Sequence, residues 1–115
     1  MFVVEDEALV AMLLEDLLFE LGCRVVDSVG SVSGALDRIE NTVADGAVLD
    51  VNIGGEKVFP VADALAARGI PFLFATGYGP GGLAELYPSA PVLTKPYTSD
   101  ALAQALARIR GRKPF

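Results

Sequence analysis

Short apolar runs alternate with stretches of helical periodicity along the whole chain, and this alternation restricts the fold more than any other feature. The runs are Phe2-Val3-Val4, a weakly alternating stretch from Arg24 to Val29, Gly46 to Leu49, Pro71 to Ala75 and Pro91 to Thr94. The first helix is expected from Ala8 to Leu21, with Val10, Leu14, Leu17 and Leu21 at apolar positions and Gly22 as its stop. Ser31 or Ser33 is placed to cap a second helix carrying Val32, Leu36 and Ile39 on one face. Val51 to Lys57 reads as a loop around Gly54-Gly55. A third helix follows, with Val58, Val61 or Ala62, and Leu65, tolerating Pro60 only in its first turn and ending near Gly69. A short helix is expected from Gly82 to Tyr87, and a last one from Thr98 or Ser99 with Leu102, Leu106 and Ile109. Strands that alternate with helices imply a parallel sheet covered on both faces. The expectation is an α/β chain, one doubly wound five-stranded domain over residues 1–115.

Composition agrees with such a domain. A 115-residue chain that is 52% hydrophobic can bury a substantial core. No apolar run approaches the roughly 18–20 residues of a membrane span, and no basic region precedes a hydrophobic stretch at the N-terminus. A soluble cytoplasmic protein without a membrane partner is expected. The single cysteine, Cys23, has no internal partner for a disulfide and reads as a small buried apolar residue. A net charge of −6 argues against a nucleic-acid partner, whose phosphates need a basic surface. Arg108, Arg110, Arg112 and Lys113 read as a solvated helix end that complements the helix dipole. Histidine is absent, which excludes Ser-His-Asp catalysis, His-ligated zinc and a phosphohistidine on this chain.

Four of the apolar runs end on polar residues that suit phosphate chemistry: Glu5-Asp6, Asp50, Thr76 and Lys95-Pro96. In a parallel α/β sheet the carboxyl ends of the strands share one edge, where ligands bind. Like carboxylates about 4 Å apart repel by roughly 4 kcal/mol at an effective dielectric near 20, so a site holding three of them needs a cation. Hard oxygen donors on one edge suit Mg²⁺, which keeps waters for a phosphate oxygen. Thr76 and Lys95 are placed to bind the remaining oxygens of a phosphoryl group, with an aspartate as its covalent acceptor. Gly77, Gly79 and Gly82 match Gly-x-Gly-x-x-Gly, but Pro80 interrupts them and no acidic residue ends a following strand at the required distance. Gly54-Gly55-Glu56-Lys57 lacks the spacing of a P-loop.

Taken in order, these residues resemble the receiver domain of bacterial two-component response regulators over nearly the whole chain. That family has an acidic pair after the first strand, a phosphorylated aspartate after the third, Thr or Ser after the fourth and Lys-Pro after the fifth. The resemblance implies a flavodoxin-like fold and makes Asp50 the acceptor of a phosphoryl group from a phosphohistidine. The donor would be a sensor histidine kinase or a histidine phosphotransfer protein, and a downstream protein partner would read the result. It further implies Mg²⁺ held by Asp6, Asp50 and the backbone carbonyl of Asn52, with Glu5 acting partly through water, and Thr76 and Lys95 on the phosphoryl oxygens. It implies no enzyme in the ordinary sense beyond the domain's own phosphorylation and dephosphorylation.

The stretch Pro71 to Gly79, with Phe74-Ala75-Thr76-Gly77-Tyr78, is similar to a narrower group of receivers named FAT GUY after this motif, as is the run Asp50 to Glu56. One position departs from the family. Val92 stands three residues before Lys95, where receivers usually carry Tyr or Phe, so the switch is expected in Gly77 to Gly82, with an output surface from Gly77 to Tyr87 together with the fifth strand and the last helix. Two other readings were open. An aspartyl phosphatase or mutase would place a second Asp two residues after the nucleophile, where this chain has Asn52. A degenerate receiver would bind partners without phosphorylation.

Overall fold

In the computed structural model, residues 1–77 and 83–110 are described. The elements run β1 (Phe2–Val4), α1 (Ala8–Glu20), β2 (Asp27–Val29), α2 (Val32–Ile39), β3 (Ala47–Asp50), β4 (Asn52–Ile53), β5 (Glu56–Lys57), α3 (Phe59–Ala67), β6 (Phe72–Thr76), α4 (Leu83–Leu86), β7 (Val92–Thr94) and α5 (Ser99–Arg110). Five strands form one parallel sheet in the order β2-β1-β3-β6-β7. This is the doubly wound, flavodoxin-like fold expected from the sequence.

Side chains on a strand alternate between faces, and here the alternation divides the interior into two layers. Phe2, Val4, Ala47, Leu49, Phe72 and Phe74 pack with α2 and α3 through Val32, Ala35, Ile39, Val61, Ala62 and Leu65. Val3, Val48, Leu73 and Leu93 pack instead with α1 and α5 through Leu14, Leu18, Leu102, Ala105, Leu106 and Ile109. Near-continuous apolar strands are what a sheet buried on both faces requires.

The helix ends follow their local chemistry. Ser31 Oγ accepts from the Gly34 amide at 3.0 Å, and Thr98 Oγ1 accepts from the Ala101 amide at 3.0 Å, so Ser31 and Thr98 are the capping residues. Gly22 follows α1 with a φ of 82°, a left-handed conformation that suits glycine at a helix stop. Cys23 is buried against the α1 and α5 layer, as expected. No helix among the described residues is long and apolar enough to cross a membrane.

Three expectations need correction. The stretch 51–57 is not simply a loop: Asn52 pairs with Lys57 and Ile53 with Glu56 in an antiparallel hairpin. Gly54 and Gly55 form its two-residue turn with φ of 57° and 83°, the positive values that tight hairpin turns demand. In α1 the buried residues are Ala11, Leu14 and Leu18, with Leu17 and Leu21 half-buried against the same layer, while Val10 is half-buried and Leu9, Met12, Leu13 and Phe19 are exposed. Apolar residues surround this helix, so its sequence pattern does not single out the face that packs. Strand β2 spans only Asp27–Val29, and before it the chain keeps contact with the end of β1 through single bonds, the Val26 amide donating to Met1 O at 2.9 Å and the Met1 amino group to Arg24 O at 2.6 Å. Tyr78 to Gly82, where the switch was expected, lies outside the described residues, as do Arg112 and Lys113.

Leu102 anchors α5 to the sheet with no exposed surface. Leu102→Ala should lower the free energy of unfolding by about 2–5 kcal/mol, measured by urea denaturation.

Candidate functional site

Main-chain bonds at the carboxyl edge fix where the polar residues stand. The Glu5 amide donates to Val29 O at 3.0 Å, the Val51 amide to Ala75 O at 3.2 Å and the Lys95 amide to Thr76 O at 2.7 Å. These bonds extend the ladders of β1, β3 and β7 by one residue each. Residues separated by up to 90 positions therefore converge: Lys95 Nζ donates to Glu5 Oε1 at 2.8 Å and to Asp50 Oδ2 at 3.0 Å. Thr76 is buried at the end of β6, one residue beyond Ala75, the partner of Asp50 in the sheet.

The carboxylates differ in their surroundings. Glu5 is buried, and its Oε2 accepts from the Glu7 amide at 3.1 Å. Burial raises the Glu5 pKa above its ordinary value, outweighing the opposing effects of Lys95 and the Glu7 amide. Asp6 is exposed, and its Oδ2 accepts from the Gly54 amide at 2.9 Å, which lowers its pKa. Asp50 Oδ1 accepts from the Asn52 amide at 3.3 Å. Burial lowers the Lys95 pKa, but the bonds to Glu5 and Asp50 together outweigh it, and the ammonium is raised overall. Tyr97, two residues after Lys95, is raised by burial.

One oxygen from each of Glu5, Asp6 and Asp50 lies within 4.8 Å of the others. Three carboxylates and one ammonium leave this cluster with two negative charges in excess when all are ionised. Hard oxygen donors with that excess fit a divalent cation such as Mg²⁺.

All the residues expected from the strand ends thus sit on one edge, Asn52 at the base of the hairpin beside Asp50. Two contributors were missed. Gly54 supplies the amide that holds Asp6, and Lys57 Nζ donates to Asn52 Oδ1 at 2.8 Å. The Gly-Gly pair between Ile53 and Glu56 was the available signal, since two such residues between strand-forming positions mark a tight hairpin.

No family model matches the chain, and no curated protein matches it. Solved structures do. SdrG from Sphingomonas melonis Fr1 is 51% identical, with a TM-score of 0.82 over 94% of this chain and 92% of that one. The chain belongs to the response regulator receiver domains. SdrG in its BeF3-activated conformation, from Pseudomonas melonis Fr1, is likewise 51% identical, with a TM-score of 0.79 over 95% of this chain and 93% of that one. The receiver domain of the sensor histidine kinase PA1611 from Pseudomonas aeruginosa PAO1, with a magnesium ion in its active site cleft, shares the fold. It is 24% identical, with a TM-score of 0.81 over 96% of both chains.

The raised Glu5 pKa has a definite sign for this receiver domain. A carboxyl with a folded pKa above its unfolded value binds its proton more tightly in the folded state. Its contribution to stability is therefore greatest when it is protonated. It falls as pH rises from about 4.5 through the raised value. In metal-free buffer, urea unfolding across this range should show that fall in the wild type, and Glu5→Gln should lack it.

Proposed function

We propose that Asp50 is the phosphoacceptor of this receiver domain, taking a phosphoryl group from a phosphohistidine on a sensor histidine kinase or histidine phosphotransfer protein. The observation that carries this reading is the placement of the Asp50 carboxylate: one oxygen faces the Asn52 amide, the other the Lys95 ammonium, with Glu5 and Asp6 beside it. An Asp50 oxygen forms a bond to phosphorus as the bond from phosphorus to the donor imidazole nitrogen breaks. The imidazole leaves with that electron pair and takes up a proton. Lys95 exchanges part of its contact with Asp50 for a phosphoryl oxygen, and the Thr76 hydroxyl donates to another. The same residues serve hydrolysis, in which a water oxygen bonds to phosphorus, the bond from phosphorus to Asp50 breaks to regenerate the carboxylate, and the water gives up a proton to solvent.

Mg²⁺ is the cofactor in this reading, held by Glu5, Asp6, Asp50 and the backbone carbonyl of Asn52. Bound there, it supplies the positive charge that offsets the carboxylates and the incoming phosphoryl oxygens. Residues 1–115 act as one receiver unit in a cytoplasmic setting, and the changed charge at Asp50 alters binding of a downstream protein.

Two experiments test the proposal. Acetyl phosphate with Mg²⁺ should label the wild type, and Asp50→Asn should abolish the label. Lys95→Ala should keep metal binding and impair labelling or the conformational response. Sustained stoichiometric labelling of Asp50→Asn would place the acceptor elsewhere. In thermal and urea melts, Mg²⁺ at about 100 times its Kd should add roughly 2.7 kcal/mol of stability. An unchanged midpoint at saturating Mg²⁺ would remove the metal from the site.

A further inference from the structure

Tyr87, just beyond α4, joins two parts of the fold that the acceptor chemistry does not itself use. Its ring lies 5.2 Å from that of Phe74, 5.7 Å from Phe72 and 5.8 Å from Phe59, centroid to centroid. Its hydroxyl donates to Asp63 Oδ1 at 2.7 Å and lies 3.5 Å from the Phe59 carbonyl oxygen. Phe59 and Asp63 belong to α3, whereas Phe72 and Phe74 belong to β6. Burial, with Asp63 second, raises the phenol pKa to about 12, so the hydroxyl keeps its proton and remains a donor at ordinary pH.

The position of this ring couples it to the site. Phe72, Phe74 and Thr76 are alternate residues of one strand and share one face of the sheet. Val92 is the register partner of Phe74 on β7 and packs against the same layer, but its isopropyl side chain has no ring to offer Phe74. The aromatic neighbours of Phe74 among the described residues are Phe72 on its own strand, Phe59 on α3 and Tyr87. A movement of Thr76 along this face would reach Tyr87 through Phe74. The bond to Asp63 resists such movement, because a short hydrogen bond weakens steeply with displacement and misalignment.

We propose that the Tyr87–Asp63 pair is a latch that holds the end of α4 to α3 in the unphosphorylated protein and is released when Thr76 engages the phosphoryl group. The latch rests on the acceptor reading of Asp50. It favours the unphosphorylated form, so removing it favours the phosphorylated one by the free energy of the lost bond.

Beryllofluoride, a phosphoryl mimic, tests this in the full chain with Mg²⁺. Binding is followed by titration calorimetry and folding by thermal melts. Tyr87→Phe keeps the ring and removes the donor; Asp63→Ala removes the acceptor. Each should tighten beryllofluoride binding by about three- to tenfold, and the double variant should gain no more than either alone. Asp63→Asn retains an oxygen acceptor and should stay within about twofold of the wild type. Lower melting temperatures with unchanged affinity in both Tyr87→Phe and Asp63→Ala would make the pair merely structural and overturn the latch. Additive gains in the double variant would overturn it as well. Wild-type protein that fails to bind beryllofluoride would overturn the acceptor reading and the latch together, whereas binding by the wild type with unaltered variants would overturn the latch alone.

Discussion

The carboxyl edge depends on one ammonium. Lys95 stands beside Glu5 and Asp50 and donates to both, so its charge offsets part of the repulsion between two carboxylates from different strands. Its position is set by the backbone, since its own amide completes the ladder to Thr76. The cation and the hydroxyl-bearing residue are thereby held in register by the same pair of strands. The attraction is strong enough to keep Lys95 protonated despite its burial, yet Glu5 remains the strained member of the group. A cluster with this balance favours any further positive charge that arrives.

The remainder of the fold places that cluster. All five strands of the main sheet are parallel, so after Glu5 and Asp6 the chain must cross back through helical connections before it delivers Asp50, Thr76 and Lys95 to the same edge. The hairpin of β4 and β5 then folds back toward the edge, placing the Gly54 amide on Asp6 and Lys57 on Asn52. A hairpin amide distant in sequence thus holds the exposed acid, while the adjacent Glu7 amide and the Lys95 ammonium hold the buried one.

Much of this could be read from the sequence because it rests on period and order. Continuous apolar runs marked the buried strands, and their polar ends named Glu5, Asp6, Asp50, Thr76 and Lys95. The packed faces of α3 and α5 were also legible, since Leu65, Leu102, Leu106 and Ile109 recur at helical spacing against polar neighbours. The face of α1 was not, because Leu9, Met12 and Leu13 interrupt that contrast. The contacts of Gly54 and Lys57 were hidden for another reason. They depend on a hairpin whose partners are two-residue strands, too short to show alternation. The contacts of Tyr87 were hidden as well, because they depend on tertiary packing and leave no periodic trace.

Neighbouring residues on a strand enter different layers: Phe2 and Val4 one, Val3 the other, and the same holds for Leu49 and Val48 and for Phe74 and Leu73. The protein therefore carries two cores that share a sheet and little else. Packing changes in separate layers that touch no common partner combine almost independently. In evolutionary terms, the α1 and α5 side and the α2 and α3 side are free to diversify on separate schedules. Repacking one layer leaves the other layer, and the edge that the shared sheet holds, in place.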